Sequence, residues 1–182
     1  MLGTPAFADY ARDIETGLSG DNAAGLKEWR PLAEKGNAEA QNSLGYMYSI
    51  GQGVAQDYKA AYKWYKLSAE QGNAEAQYNL GLMYDVGYGV SQNDRAAATW
   101  YTLAAKKGYA DAQYNLALMY GTGRGVNKDY ALAHMWWDIS ATQGIDDAAW
   151  NRDIVGKMMT PAQIDKAQKL TRQCVAKNYR GC

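Results

Sequence analysis

An imbalance of charge is what this chain most plainly lacks: 19 lysines and arginines stand against 19 aspartates and glutamates. A nucleic-acid partner would demand a basic face, and no such surplus exists. Attraction to a membrane surface by charge is equally unsupported. No run of about 18 apolar residues occurs, so no transmembrane segment is expected. Histidine occurs once, at His134, and cysteine twice, at Cys174 and Cys182. Metal-ligand spacings such as Cys-x-x-Cys or His-Glu-x-x-His are therefore missing, and neither metal nor cofactor is expected. The Ser-x-x-Lys and Lys-Thr-Gly sets of serine β-lactamases are absent too, which leaves no catalytic residue to assign. Phenylalanine is nearly missing, one against 15 Tyr and 6 Trp, so the 47% hydrophobic content leans on rings with a polar edge.

Repetition is what the chain has in quantity. Gly72-Asn73-Ala74-Glu75-Ala76-Gln77 occurs also as Gly36-Asn37-Ala38-Glu39-Ala40-Gln41 and as Gly108-Tyr109-Ala110-Asp111-Ala112-Gln113, a spacing of 36 residues each time. A period in that range marks an array of stacked supersecondary units. In the central copy Asn73 is a good N-cap, and Ala74, Ala76, Leu80, Met83 and Tyr84 recur at helical spacing, which marks a buried stripe. This helix A should end at Gly87, a residue that tolerates left-handed geometry. A link with Gly89 and Val90 follows, and Asn93 then caps a helix B carrying Ala96, Ala97, Trp100, Tyr101, Leu103 and Ala105. The flanking copies repeat both helices. Glycine inside helix A, at Gly45 and Gly81, is costly, and the third copy has Ala117 there; the position therefore demands a small side chain at a close helix crossing. The Gly-x-Gly triplets occupy one link position in all copies and read as turns, since none continues into a phosphate-loop Gly-Lys-Ser or Gly-Lys-Thr. His134, aligned with Tyr62 and Ala98, reads as a surface or half-buried side chain.

Outside the three copies the pattern weakens. Residues 9–35 read as a degraded capping unit, in which Gly17, Leu18 and Asp21 keep the register and Pro31 should kink or restart the second helix. Residues 1–8 end in Ala6-Phe7-Ala8, the small-x-small form of a signal-peptidase site; they read as the tail of a signal, with an ordinary apolar start as the alternative. Units 36–71, 72–107 and 108–143 follow, and 144–182 should supply a divergent helix to about Lys157 and a capping helix after Thr160-Pro161-Ala162-Gln163. The whole is expected to be one continuous domain. Cys174 and Cys182 could not bridge on an unbroken helix, so a disulfide needs a chain reversal, for which Asn178 and Gly181 are suited; two free thiols are the alternative. A bridge and a signal remnant together favour an oxidising compartment.

With those residues in view, the chain resembles the Sel-1-like repeat family, relatives of the tetratricopeptide repeats. The likeness rests on Ala-x-Ala-Gln-x-x-Leu-Gly-x-Met-Tyr, the Gly-x-Gly-Val link and the Ala-Ala-x-x-Trp-Tyr-x-x-x-Ala of helix B, and covers about 36–143. It implies an all-α superhelix, a solenoid of antiparallel helix pairs, here with a C-terminal capping helix, and a role as a non-catalytic protein-protein interaction scaffold. Many bacterial members are exported, so the periplasm or secretion is expected, with the cytoplasm as the alternative. Some Helicobacter relatives were assigned penicillin binding and β-lactamase activity and carry cysteine pairs eight residues apart inside repeats. Here the one such pair lies outside them, and that activity stands as the runner-up.

The face of helix A opposite its core stripe is the candidate site. At about 100° per residue it presents Glu75, Tyr78, Asn79, Leu82 and Asp85, with Glu39, Asn42, Ser43, Tyr46 and Ser49 before and Asp111, Tyr114, Asn115, Leu118 and Gly121 after. Tyr46, Tyr78, Asn79, Leu82, Tyr114, Asn115 and Leu118 are expected to line the concave side and grip a protein segment. Packing of these rings against the next helix A is the competing reading. Stacked tyrosines would also suit a cell-wall glycan, a second alternative.

Overall fold

The computed structural model describes residues 22–182, with side chains from Leu26 onward. The signal site at Ala6-Phe7-Ala8 and the register residues Gly17, Leu18 and Asp21 lie outside the described residues. Among the described residues there are nine helices and no strand: α1 (Asn22–Glu34), α2 (Ala38–Ile50), α3 (Tyr58–Glu70), α4 (Ala74–Val86), α5 (Asp94–Ala105), α6 (Ala110–Thr122), α7 (Tyr130–Ala141), α8 (Asp146–Gly156) and α9 (Pro161–Ala176). Helices α2, α4, α6 and α8 are of type A, and α1, α3, α5 and α7 of type B. Each of α2, α4 and α6 packs on the helix B that follows it, and each helix B packs on the next helix A. None of the nine is long and apolar enough to cross a membrane.

Local chemistry sets the boundaries. Asn37 and Asn73 accept the amides of Ala40 and Ala76, and Asp57, Asn93 and Asp129 do the same for the B helices. Tyr109, standing where the other units have asparagine, gives α6 no side-chain cap. Gly51, Gly87 and Gly123 close the A helices in left-handed geometry, and each amide bonds a methionine carbonyl four residues back. Pro31 neither stops nor restarts α1. It sits in the last turns, and its ring removes a single backbone donor from a helix that ends at Glu34.

The link glycines are held for two reasons at once. Gly89 and Gly125 have φ of 68° and 67°, and a methyl group on them would lie 2.3 Å from the carbonyl oxygen of Tyr58 and 2.2 Å from that of Asp94. Each link thus rests on the first residue of the preceding helix B. Side chains one position earlier finish the joint by different means. The Tyr88 ring stacks on Tyr58 at 4.7 Å between centroids, whereas Arg124 pairs with Asp94 at 3.4 Å and with Asp85.

Glutamine ties each helix A to the helix B before it. Gln41, Gln77 and Gln113 donate through Nε2 to the carbonyls of Ala33, Ala69 and Ala105, at 3.1 Å in every case. In the first and third units the free side-chain oxygen accepts in turn from Gln71, at 2.7 Å, and from Gln143, at 2.6 Å. The second unit has Lys107 at that position, and Oε1 of Gln77 is buried without a donor among the described residues. A buried acceptor left unmet costs roughly 1–3 kcal/mol. Lys107→Gln should therefore stabilise the protein by about 1 kcal/mol, read as a higher urea midpoint at unchanged slope.

At the C-terminal end α9 opens with the capping box of Thr160 and Gln163 and lies across α7, burying Ala167 and Cys174. The chain then turns back, with positive φ at Asn178, Tyr179 and Gly181. Cys174 and Cys182 are joined by a disulfide, their Cα atoms 5.3 Å apart. The reversal lays the Tyr179 ring on Gly108, in the turn between α5 and α6. The bridge therefore holds the turned-back tail that sets Tyr179 against the start of the third unit.

Candidate functional site

Consecutive A helices are laced together along the face proposed from the sequence. Asn79 donates to Asn42 at 3.4 Å and Asn151 donates to the Tyr114 hydroxyl at 3.0 Å, while Asn115 stands beside the Tyr78 hydroxyl. Each step spans 37 residues, one more than the repeat. The lacing draws neighbouring helices together and consumes the polar groups that a partner would otherwise meet. Asn79 is accordingly buried, and Asn115 half-buried.

Two of the expected contact rings are closed off. Tyr78 is 2% exposed, its ring 5.0 Å from that of Tyr109 and 6.0 Å from that of Tyr101, and Tyr46 is 5% exposed in the core with Ala61 and Tyr65. Tyr46, Tyr78 and Asn79 are thus removed from the accessible set. The physical reason is that a solenoid helix has neighbours on three sides, and the following unit covers part of the face that a single helical wheel leaves open. Burial also pushes the Tyr78 hydroxyl well above its ordinary pKa.

Leu82, Tyr114, Asn115 and Leu118 remain half-buried, and Val86 and Ile50 are exposed one turn further along. At the opposite end of the same face stand Glu39, Glu75 and Asp111, one acid per unit. Burial raises the pKa of Glu75 and of Asp111, so each ionised carboxylate is short of the solvation it would have in water. A cation brought alongside would relieve that deficit. The accessible remainder is an apolar row edged by under-solvated carboxylates.

Other sequence candidates fall into structural roles. His134 is buried in α7 beneath Gly156, burial pushes its pKa down, and its Nδ1 has no partner among the described residues. The surface or half-buried placement expected for it is corrected, because α8 packs directly on α7. An open cleft of about 720 Å³ lies between Asn93, Arg95 and the link Gly123 to Asn127. Gly125 serves the backbone approach described above, Gly123 ends α6, and Asn93 is engaged in capping α5. No cluster of His, Cys, Asp and Glu among the described residues is placed to hold a metal ion.

The asparagine lacing was not found from the sequence, although its signal was present. Asparagine recurs at 79, 115 and 151, but its partners lie in the next column of the alignment, one residue out of step. Exposure at Trp150 was missed for a related reason: the position it continues is buried at Asn42 and Tyr78 and half-buried at Tyr114.

Stacked hairpins of this form define an α-solenoid of tetratricopeptide-like units. The chain belongs to the Sel1 repeat family, matching the Sel1 repeat over residues 38–73, 74–109 and 110–145. Among solved structures it is similar to a Sel1 repeat protein from Oxalobacter formigenes, 36% identical with a TM-score of 0.65, over 70% of this chain and 96% of that one. It is also similar to a protective antigen present in uropathogenic Escherichia coli strains, displaying an SLR fold, 29% identical with a TM-score of 0.57. That match takes in 91% of this chain and 44% of the antigen. No curated protein matches the chain.

Proposed function

We propose that the protein is a non-catalytic interaction scaffold that holds a partner segment along the concave face of its A helices. The observation that carries this reading is the accessible row Leu82, Tyr114 and Leu118, with Val86 beside it, bordered by Glu75 and Asp111. Such a row suits an extended or helical segment with apolar side chains and at least one lysine or arginine. Membership of a family of repeat scaffolds supports the same conclusion. We place the protein in the periplasm or outside the cell, on the strength of its disulfide and its likeness to a bacterial antigen.

Photo-crosslinking amino acids at Leu82 or Leu118, set against Leu67 or Leu103 on the B helices, test the reading in native cells. One discrete partner adduct from the inner positions alone is the expected result. Equal adducts from both sets, or none from the inner set, would remove the inner face as the site. Turnover of a chromogenic β-lactam by the purified chain, above a heat-treated control, would replace the scaffold with the enzymatic alternative. The glycan alternative drew on stacked Tyr46 and Tyr78, and the burial of both withdraws its platform.

A further inference from the structure

The last described helix A, α8, carries an apolar stripe left exposed by the other described residues. Trp150 is 64% exposed and Met158 61%, with Ile154 also exposed between them. By the repeat these residues continue Tyr114, Leu118 and Thr122. In the earlier units the position of Trp150 meets an asparagine of the following helix A, whereas the position of Met158 is exposed throughout, at Ile50, Val86 and Thr122. Trp150 breaks the series. Its ring is left exposed, where the earlier positions are covered or half-covered.

The charges around the stripe show what fits instead. Asp146, Asp147, Trp150 and Ile154 share one exposed face of α8, and Lys157 and Met158 are exposed in the turn just past its end, so acids stand at the start and a lysine at the close. Turned end for end about a point level with Arg152, this face is its own complement. Trp150 meets Ile154 of the other copy, and Asp147 meets Lys157 twice over. We propose that this face joins two copies of the chain through an antiparallel α8–α8 pair related by a twofold axis. With 11 residues in α8 the contact belongs to the small, weak class of interfaces, with dissociation at roughly tens of micromolar.

Sedimentation velocity of the purified full chain from ~1 to ~200 μM tests the pairing. A monomer–dimer equilibrium is expected, and Trp150→Glu should weaken it at least about tenfold while leaving the melting temperature near that of the parent. Asp147→Lys and Lys157→Asp should each weaken self-association, and an equimolar mixture of the two should regain it, since every crossed pair is then of opposite sign. A parent chain that stays monomeric throughout overturns the proposal. So does a mixture no tighter than the single variants, unaltered dimerisation of Trp150→Glu, or a ladder of species beyond the dimer.

Discussion

Gly125→Ala should destabilise the protein by about 3–4 kcal/mol, whereas Gly144→Ala should cost only about 1 kcal/mol. Both glycines have positive φ, 67° and 93°, so both alanines incur the left-handed penalty of about 1–2 kcal/mol. They differ in what the new methyl group meets. At Gly144 nothing lies within 4 Å, while at Gly125 the carbonyl of Asp94 stands 2.2 Å away, on the first residue of a capped helix. That oxygen is backbone, and it can yield only if α5 moves with it. The remaining ~1–3 kcal/mol at Gly125 is the cost of forcing the link off the preceding unit. Urea unfolding of the two variants gives the comparison directly. Equal losses at the two sites would show that the contact with Asp94 carries no stability, and that the joint between units is made elsewhere.

The same contrast between local and inter-unit chemistry explains what could be read from the sequence. Helix limits were legible because their causes sit within a few residues: Asn73 caps its own helix, Gly87 ends it, and Thr160 with Gln163 starts the lid. The stacking was legible because Gly36, Gly72 and Gly108 head three near-identical units. Burial of Tyr78 stood as one of two readings, since it is decided by Tyr109 and Asn115, which reach it from the next unit. A wheel drawn for one helix separates the side facing its own helix B from the rest, but it cannot divide the rest between the next helix A and solvent. Tyr46, Tyr78 and Asn79, three of the seven candidate residues, were lost for that reason. Tyr114 keeps partial exposure, and Ile145 stands in the next unit where Tyr109 seals Tyr78. The Tyr109 substitution shows the two scales in conflict: it forfeits the cap of α6 and supplies instead a ring that seals Tyr78.

Gly81 concentrates a coupling between the paired helices that single substitutions should reveal as a three-way dependence. A methyl group there would lie 2.6 Å from Cδ1 of Tyr101, a ring with no exposed surface whose hydroxyl donates to Asp85 at 3.2 Å. Ring and hydroxyl are held at both ends, so the side chain cannot swing away. Gly81→Ala should cost about 1–2 kcal/mol, the clash outweighing the helix propensity gained, and Gly81→Leu more than about 3 kcal/mol. The first unit repeats the arrangement in Gly45, Tyr65 and Ser49, with a methyl group on Gly45 falling 2.5 Å from the ring and the two hydroxyls 3.4 Å apart. The third unit solves it differently. There the ring is Trp137, the small residue is Ala117, and Gly121 replaces the hydrogen-bonding side chain, its notional methyl 3.1 Å from the far edge of the indole. A larger ring without a hydroxyl needs room where the polar partner stood, and in return it vacates the space an alanine fills. Moving that solution into the second unit as Gly81→Ala, Asp85→Gly and Tyr101→Trp should therefore give a triple variant more stable than the sum of its singles by at least about 1 kcal/mol. Additive losses in denaturant unfolding would show that the three positions merely coincide in each unit, and that no shared ring seat links helix A to helix B.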